Sequence, residues 1–263
     1  MKILLVLGHP DTGSLNHAIA HAVRDDLLKA GCEVVFHDLH AEGFDPLLAV
    51  EEIPEGGHVP PTIRSHCDDL CSADGIVIVH PNWWGQPPAI LTGWIDRVFR
   101  PGLAYRFEEG DGGEGVPIGL LRAKAAVVLN TSNTEATREL TAFGDPLEAI
   151  WRRCIFDLCG VREFHRRVFR VVVTSTEAQR AEWIEEAKEL CRGVFVRSVC
   201  PICGGPNGCG AARGESSCWC ESAIVPAEVL ERVPVEARGR ACVCPECAGV
   251  SVAPGEPTTR EQD

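Results

Sequence analysis

Positive charge is scarce in this chain: 25 Lys and Arg stand against 38 Asp and Glu, a formal net charge of −13. Bulk electrostatics therefore lend no support to a nucleic-acid or anionic-membrane partner. Long apolar runs are absent too, and none approaches the ~20 residues of a membrane span. Met1-Lys2 and the five apolar residues that follow are too short for a signal peptide, and Gly8-His-Pro-Asp11 ends the run. It reads as a first strand, and cytoplasm is the default expectation. No internal repeat is visible. No His lies beyond residue 165, and Tyr105 is the only Tyr.

The 263 residues allow one large domain or two smaller ones, with ordinary apolar content. Cysteine is abundant but unevenly spread. Six of the fourteen are scattered over the first 191 residues, and eight crowd into 200–247. Clustering of this kind in a cytosolic chain points to metal rather than to a secreted disulfide scaffold.

Strand and helix signals alternate through the first 190 residues. Strands are expected at 2–8, 32–37, 75–80, 125–129 and 168–173. Helices are expected from Ser14, a capping residue, to Ala30, and over 63–72, 88–99, 146–158 and 176–191. Residues 41–62 form a Pro/Gly/Glu-rich connection, and 108–117 an acidic, glycine-rich surface loop. Such alternation implies a doubly wound parallel sheet with helices on both faces. After Val199 large apolar residues become rare, so that segment needs a staple to fold. The boundary is placed near 197, giving domains 1–197 and 198–263, the second with a short disordered end.

The densest chemical signal is Pro81-Asn-Trp-Trp-Gly-Gln-Pro-Pro88, directly after the apolar strand 75–80. Open α/β sheets bind ligands at the carboxyl ends of their strands. Two adjacent Trp in a loop there need something to stack on, and a flavin ring is a candidate. Ordinary core or interface packing is the alternative.

This stretch, with Ala89 and then Asp96-Arg-Val-Phe99 and Ala104-Tyr105, resembles the quinone-reductase branch of the flavodoxin-like flavoenzymes. A second match is the first strand with His9 and Ser14-Leu-Asn16. The resemblance covers roughly residues 1–195. It implies a five-stranded flavodoxin-like sheet and a bound flavin, FAD ahead of FMN. It implies NAD(P)H as hydride donor, a quinone-like electron acceptor and a homodimer. By the same resemblance His9, Ser14, Leu15 and Asn16 face the flavin phosphate. Pro81, Asn82, Trp83, Trp84 and Gly85 face the polar edge of the ring, mainly through main chain. Asn130, Thr131, Ser132 and Asn133, read as a polar loop, offer N–H donors to the ring. Trp84 and Tyr105 line the acceptor pocket. The bland alternatives are a Ser14 N-cap, an ordinary polar turn at 130–134, and Tyr105 as packing. The family's proton-relaying Tyr and His fall, in a gap-free reading, on Thr137 and Phe143, which cannot relay a proton. His17, His21, His37, His40 and His66 form no evident constellation, and Cys67 and Cys71 no ligand set.

The tail reads Cys200-Pro-Ile-Cys203-Gly-Gly, Cys209, Cys218-Trp-Cys220, then Cys242-Val-Cys244-Pro-Glu-Cys247. Cys-Pro-x-Cys-Gly is a knuckle whose N–H groups point at thiolate sulfurs. With no His available, zinc ligands would be all thiolate. Eight Cys allow two four-thiolate sites or one with spare thiols; four disulfides or an iron–sulfur cluster are the alternatives. The segment resembles a small bacterial cysteine-rich module named for its Cys-Trp-Cys motif, over 200–248. The leading function is flavin-dependent NAD(P)H oxidation, passing electrons to a quinone or similar electrophile. A flavin-bearing regulator or electron carrier and a zinc-linked interaction protein are the alternatives.

Overall fold

A computed structural model of the chain describes residues 1–53, 56–107, 115, 117–196, 200–209, 218–221, 223–238 and 241–250. Two compact units emerge, Met1–Phe195 and the segment from Val196 onward.

The first unit is a five-stranded parallel sheet. Its strands are β1 (Lys2–Leu7), β2 (Glu33–Asp38), β3 (Gly75–Pro81), β6 (Ala125–Ser132) and β7 (Glu163–Arg170), in the order β2-β1-β3-β6-β7. All four pairings are parallel. β3 and β6 are buried along their whole length, as continuous Val/Ile/Leu/Ala runs require in a sheet covered on both faces. A two-stranded antiparallel ribbon, β4 (Tyr105–Arg106) with β5 (Ile118–Gly119), stands apart from it.

Helices α1 (Leu15–Lys29) and α6 (Glu177–Phe195) pack together on the sheet, and α2 (Pro61–Ser72) packs with α3 (Ala89–Val98). Side chains alternate as the pleat demands. Leu4, Val6, Ile76, Ile78, Ala126 and Val128 join the α2/α3 core with Trp94, Trp151 and Phe156. Gly93 lets the 41–60 connection lie on α3, because a Cβ there would fall 2.2 Å from the Pro46 carbonyl oxygen. Beneath that connection Glu52 is buried and grips Arg97 with two bonds, 2.6 and 3.2 Å, while Arg100 donates to its carbonyl. Arg97 of the Asp-Arg-Val-Phe motif is thus an internal anchor.

Three expectations need correction. The fifth strand is not 168–173 but 163–170. Gly160, at φ 88, ends the preceding helix, and the chain enters the sheet at once to pair with the full length of β6. Val171–Val173 read as strand by composition, but β6 has run out, and Val173 is exposed. The fourth strand runs to Ser132, three residues past its expected end at Leu129. A helix unforeseen from the sequence, α4 (Ala136–Phe143), follows it, capped by the Glu135 side chain. The expected helix over 146–158 forms as a short α5 (Pro146–Glu148), continued by wider turns through Asp157. Most of the acidic loop 108–117, the boundary at 197 and the end from 251 lie outside the described residues.

Candidate functional site

Three loops meet the carboxyl ends of β1, β3 and β6. The first runs Gly8–Ser14. Asp11 shapes it, taking the Gly13 N–H on its side chain at 2.9 Å and the Ser14 N–H on its carbonyl at 3.1 Å. Ser14 caps α1, its Oγ accepting the His17 N–H. The N–H groups of Leu15 and Asn16 have no acceptor among the described residues. Free N–H groups in the first turn of a helix form an anion site. His17, which has no evident constellation in the sequence, joins Ser14 Oγ at 3.0 Å to Asp38 at 3.0 Å through its ring. His9 takes the Asp11 N–H on Nδ1 and faces the Trp83 ring at 5.9 Å. Burial lowers its pKa, and the Asp11 carbonyl offsets this only in part.

The second loop is a tight turn. Trp83 and Gln86 exchange both backbone hydrogen bonds, at 3.2 and 3.1 Å. Trp84 and Gly85 between them sit at φ 60 and φ 76. A turn with two positive φ values suits Asn-Gly or Gly-Gly, not Trp. Trp84 is held there with its ring 98% exposed, and Trp83 is 43% exposed. Strain of order 1–3 kcal/mol and a bare indole are tolerated together where the side chain has something to meet.

Asn82 connects this loop to the rest. Its N–H reaches the Thr131 carbonyl at 2.7 Å, its Oδ1 accepts the Gly85 N–H, and its Nδ2 donates to Glu139 on α4 at 2.8 Å. Glu139 is buried and pairs with Arg170, which also donates to the Thr134 carbonyl. One buried carboxylate therefore ties the Trp loop to the loop after β6.

The side chains expected in that third loop are otherwise engaged. Asn130 and Thr131 lie in β6. Thr131 Oγ1 bonds Asn16, which is itself buried. Asn130 donates to His80 Nε2 at 2.8 Å and accepts from Arg166 Nε at 2.7 Å. Ser132 Oγ accepts the Thr134 N–H, and Asn133 Oδ1 the Val173 N–H. Asn130 and Thr131 thus brace the strand end from inside, leaving main chain as the surface a ligand could meet. Tyr105 lies in the β4–β5 ribbon against Phe107 and the α2/α3 core. Thr137 and Phe143 both lie on α4 and are exposed.

Sequence reasoning missed His80, Glu139, Arg166 and Arg170. His80 is fully buried; its Nδ1–H donates to the Pro81 carbonyl, and Nε2 accepts from Asn130 and from the Trp151 indole. Burial drives its pKa down to about 3, with the Arg166 charge adding to the effect. Arg166 is held by Asp145 at 2.6 Å, and its buried Nη2 has no hydrogen-bond partner among the described residues. The only signal for these residues was polar side chains inside strand-like runs. A second missed cluster joins His37, Glu42, His66 and Asp69. His37, Glu42 and His66 have metal-ligand spacing. However, the Trp94 indole donates to His66 Nδ1 at 3.2 Å, so the His66 proton sits on Nε2, the nitrogen that faces Glu42. A hydrogen-bonded cluster results. Cys67 and Cys71 point at the carbonyls of Val98 and Leu103.

In the second unit Cys200, Cys203, Cys244 and Cys247 bring their sulfurs within 4.8 Å of one another. Burial raises the Cys200 thiol pKa, but the N–H groups of Cys244, Cys203 and Ile202 outweigh it and bring it down to about 6. Hydrogen bonding to Cys244 pushes the Cys247 thiol the other way, up to about 12, so without an ion the cluster favours one thiolate and not four.

Fold and loops together define a flavodoxin-like α/β protein whose strand order reverses between β1 and β3, the kind of switch point at which open α/β sheets bind ligands. The chain belongs to the family described as Flavodoxin-like fold, whose model matches residues 1–191; a second model, Cysteine-rich CWC, matches residues 200–249. The chain is 31% identical over 198 residues to an uncharacterized NAD(P)H oxidoreductase of Haemophilus influenzae, covering 72% of this chain and 93% of that protein. It is 29% identical over 216 residues to human ribosyldihydronicotinamide dehydrogenase (quinone), covering 72% and 91%. An NAD(P)H:quinone oxidoreductase from Methanothermobacter marburgensis shares the fold at TM-score 0.64, with 24% identity, covering 73% of this chain and 98% of that one. No helix among the described residues is long and apolar enough to cross a membrane.

Proposed function

We propose that this protein is a flavin-dependent NAD(P)H oxidoreductase that delivers electrons to a quinone-like acceptor, and that its cysteine-rich tail binds zinc. Kinship with NAD(P)H dehydrogenases of the quinone type makes the chain an oxidoreductase. The observation that carries the flavin assignment is Trp84, strained and bare, on the same sheet edge as the free N–H groups of Leu15 and Asn16. Those residues suit a group with an anionic end and a flat aromatic end. Ser14, Leu15 and Asn16 would hold the phosphate, Trp84 would stack, and the main chain of 81–85 and 130–133 would hydrogen-bond the ring edge. FAD is favoured over FMN on the branch resemblance. A flavin supplies hydride acceptance from the nicotinamide and electron delivery to the acceptor. The chain's own part is to orient: Asn82, Glu139 and Arg170 hold two of the three loops in register. Neutral His80 and Asn130 brace the strand ends from below.

The purified protein is expected to carry noncovalent flavin, identified by mass after heat release, and to oxidise NAD(P)H in step with quinone reduction. Trp84→Gly is expected to weaken flavin affinity about tenfold, through loss of a stacking face worth ~1 kcal/mol beyond its area. The same change relieves the positive-φ strain, so flavin-free stability should not fall. A protein that takes up no flavin when supplemented would sink the assignment. One observation favours a second reading, a flavin-bearing carrier with little turnover. Thr137 and Phe143, the positions on which the family resemblance places a proton-relaying Tyr and His, lie exposed on α4. Bound flavin with negligible steady-state NAD(P)H oxidation would select it.

We also propose a homodimer. The reading rests on the family resemblance, and Trp84, Phe107, Leu140 and Phe143 are large apolar side chains that such an interface could cover. Sedimentation at micromolar concentration should give twice the chain mass, and an active monomer would overturn it.

A further inference from the structure

We infer that the eight tail cysteines form two separate four-thiolate metal sites, nested in sequence: the outer set Cys200, Cys203, Cys244 and Cys247, and the inner set Cys209, Cys218, Cys220 and Cys242. The inference rests on the reading that the tail binds zinc and fixes how many ions it binds and through which residues.

The outer set is two matching knuckles. Cys200 lies under the N–H groups of its own Cys-x-x-Cys turn, and Cys244 accepts the Cys247 N–H at 3.3 Å. Gly204 N–H returns to the Cys200 carbonyl at 2.9 Å and closes the first turn. Between the knuckles the sulfurs of Cys203 and Cys244 are 3.7 Å apart. With zinc–sulfur bonds of about 2.3 Å, the edge of a tetrahedron is about 3.8 Å. The outer set needs almost no rearrangement to take an ion.

The inner set is organised by Asn207, which is fully buried. Its Oδ1 accepts the Cys209 N–H at 3.0 Å, and its Nδ2 donates to the Cys242 carbonyl at 3.0 Å. Its main-chain carbonyl accepts the Trp219 indole N–H at 3.0 Å. One side chain and its own peptide thus gather three stretches of chain: Cys209, the Cys218-Trp-Cys220 turn, and Cys242. The Cys218 and Cys220 sulfurs are 3.3 Å apart, and the Cys242 thiol lies within hydrogen-bonding reach of Cys209 and Cys220. An ion entering there would spread the 218/220 pair by about half an ångström to reach the tetrahedral edge. It would also draw the four sulfurs together, because they do not all lie within 4.8 Å of one another as the outer four do. Among the described residues Cys200, Cys244 and Cys247 interact with one another and with Cys203, whereas Cys242 interacts with Cys209, Cys218 and Cys220, and Cys220 with Cys218. With no His in the segment, every ligand in both groups is a thiolate.

The partition also explains why the module needs no large core. Among the described residues its buried apolar groups are few: Val233, Val243, Ala248 and the cysteines themselves. The outer site closes a loop of about forty residues, the inner one a loop nested inside it. Constraining long loops removes much of the entropy of the unfolded chain.

The test is metal stoichiometry on the full chain, reduced and loaded with zinc, then with cobalt(II) as a spectroscopic probe. Two ions per chain are expected, with cobalt spectra of tetrahedral tetrathiolate type saturating at two equivalents. Cys203→Ser and Cys220→Ser should each retain one ion, and Asn207→Ala should lose or weaken one ion while the outer site stays filled. One ion per unaltered chain would overturn the two-site partition and leave the zinc reading standing. No ion at all, with the thiols shown to be reduced, would overturn both. Two ions retained by either Cys variant, or none retained by both, would overturn the assignment of ligands to independent sets.

Discussion

Glu52→Ala is expected to destabilise the flavodoxin-like unit by about 3–5 kcal/mol. Glu52 is 2% exposed and is the counter-charge for two buried arginines, Arg97 and Arg100. Removing it leaves both cations in a site that also holds the Phe44 ring, 5.9 Å from the Arg97 guanidinium, and the Asp45 carbonyl. Asp45 itself is two-thirds exposed and 3.8 Å away, too solvated to take over. Urea unfolding followed by Trp fluorescence reads the loss as a lower midpoint at unchanged slope. The triple change Glu52→Leu, Arg97→Met and Arg100→Met should recover most of it, because no unpaired charge then remains. A single Glu52→Ala variant as stable as the parent would show that water already reaches this cluster.

The second large effect is acid lability. His80 is neutral in the fold, with a pKa pushed to about 3, against 6.5 when unfolded. The unfolded chain therefore binds a proton that the folded chain refuses. Stability is fully present above pH 6.5 and is lost as pH falls toward 3, at about 1.4 kcal/mol per pH unit. Between pH 6.5 and 4.5 His80 alone costs about 2 kcal/mol. His66, lowered to about 4 by burial and then by His37, works in the same direction. Its contribution is smaller, because Glu42 beside it is in contact with solvent and screens the site. Burial would lower the His37 pKa too, but Glu42 and Asp69 outweigh it and raise it. The stability His37 adds is complete by pH 6.5, so it does not offset the loss below. Unfolding midpoints measured from pH 7 to 4.5 should fall steadily, and His80→Gln should flatten the curve. A parent protein equally stable at both ends of that range would refute the neutral, buried assignment of His80.

The sheet was legible because its strands are apolar runs and its helices carry their own punctuation. Gly75–Pro81 could only be a buried parallel strand, and Ser14 marked the start of α1 by its capping chemistry. Errors came where composition and pairing disagree. Val171-Val-Val173 looks more like a strand than Glu163-Phe-His-Arg does, but β7 lies at the sheet edge, where arginines are at home. Its register comes from β6, a neighbour in space rather than in sequence. Helix α4 was hidden for a similar reason. Leu140 and Phe143 share a face, but that face is exposed and the buried residue is Glu139, so the helix is fixed by Asn82 and Arg170 and not by an apolar core.

The sequence by itself determined the fold class, the family, the Trp loop and the cysteine-rich tail. Each rests on residues adjacent in the chain, where spacing alone carries the chemistry. Only the tertiary structure decided what those residues do to one another. Asn16 and Thr131 are 115 positions apart and hydrogen-bonded. Asn82 reaches Glu139, and His80 receives the Trp151 indole. The division of eight cysteines into two sets follows from Asn207 and from the return of the chain at Cys242. Such contacts are decided by strand register and by buried groups that must find partners once water is gone, and neither leaves a local mark in sequence.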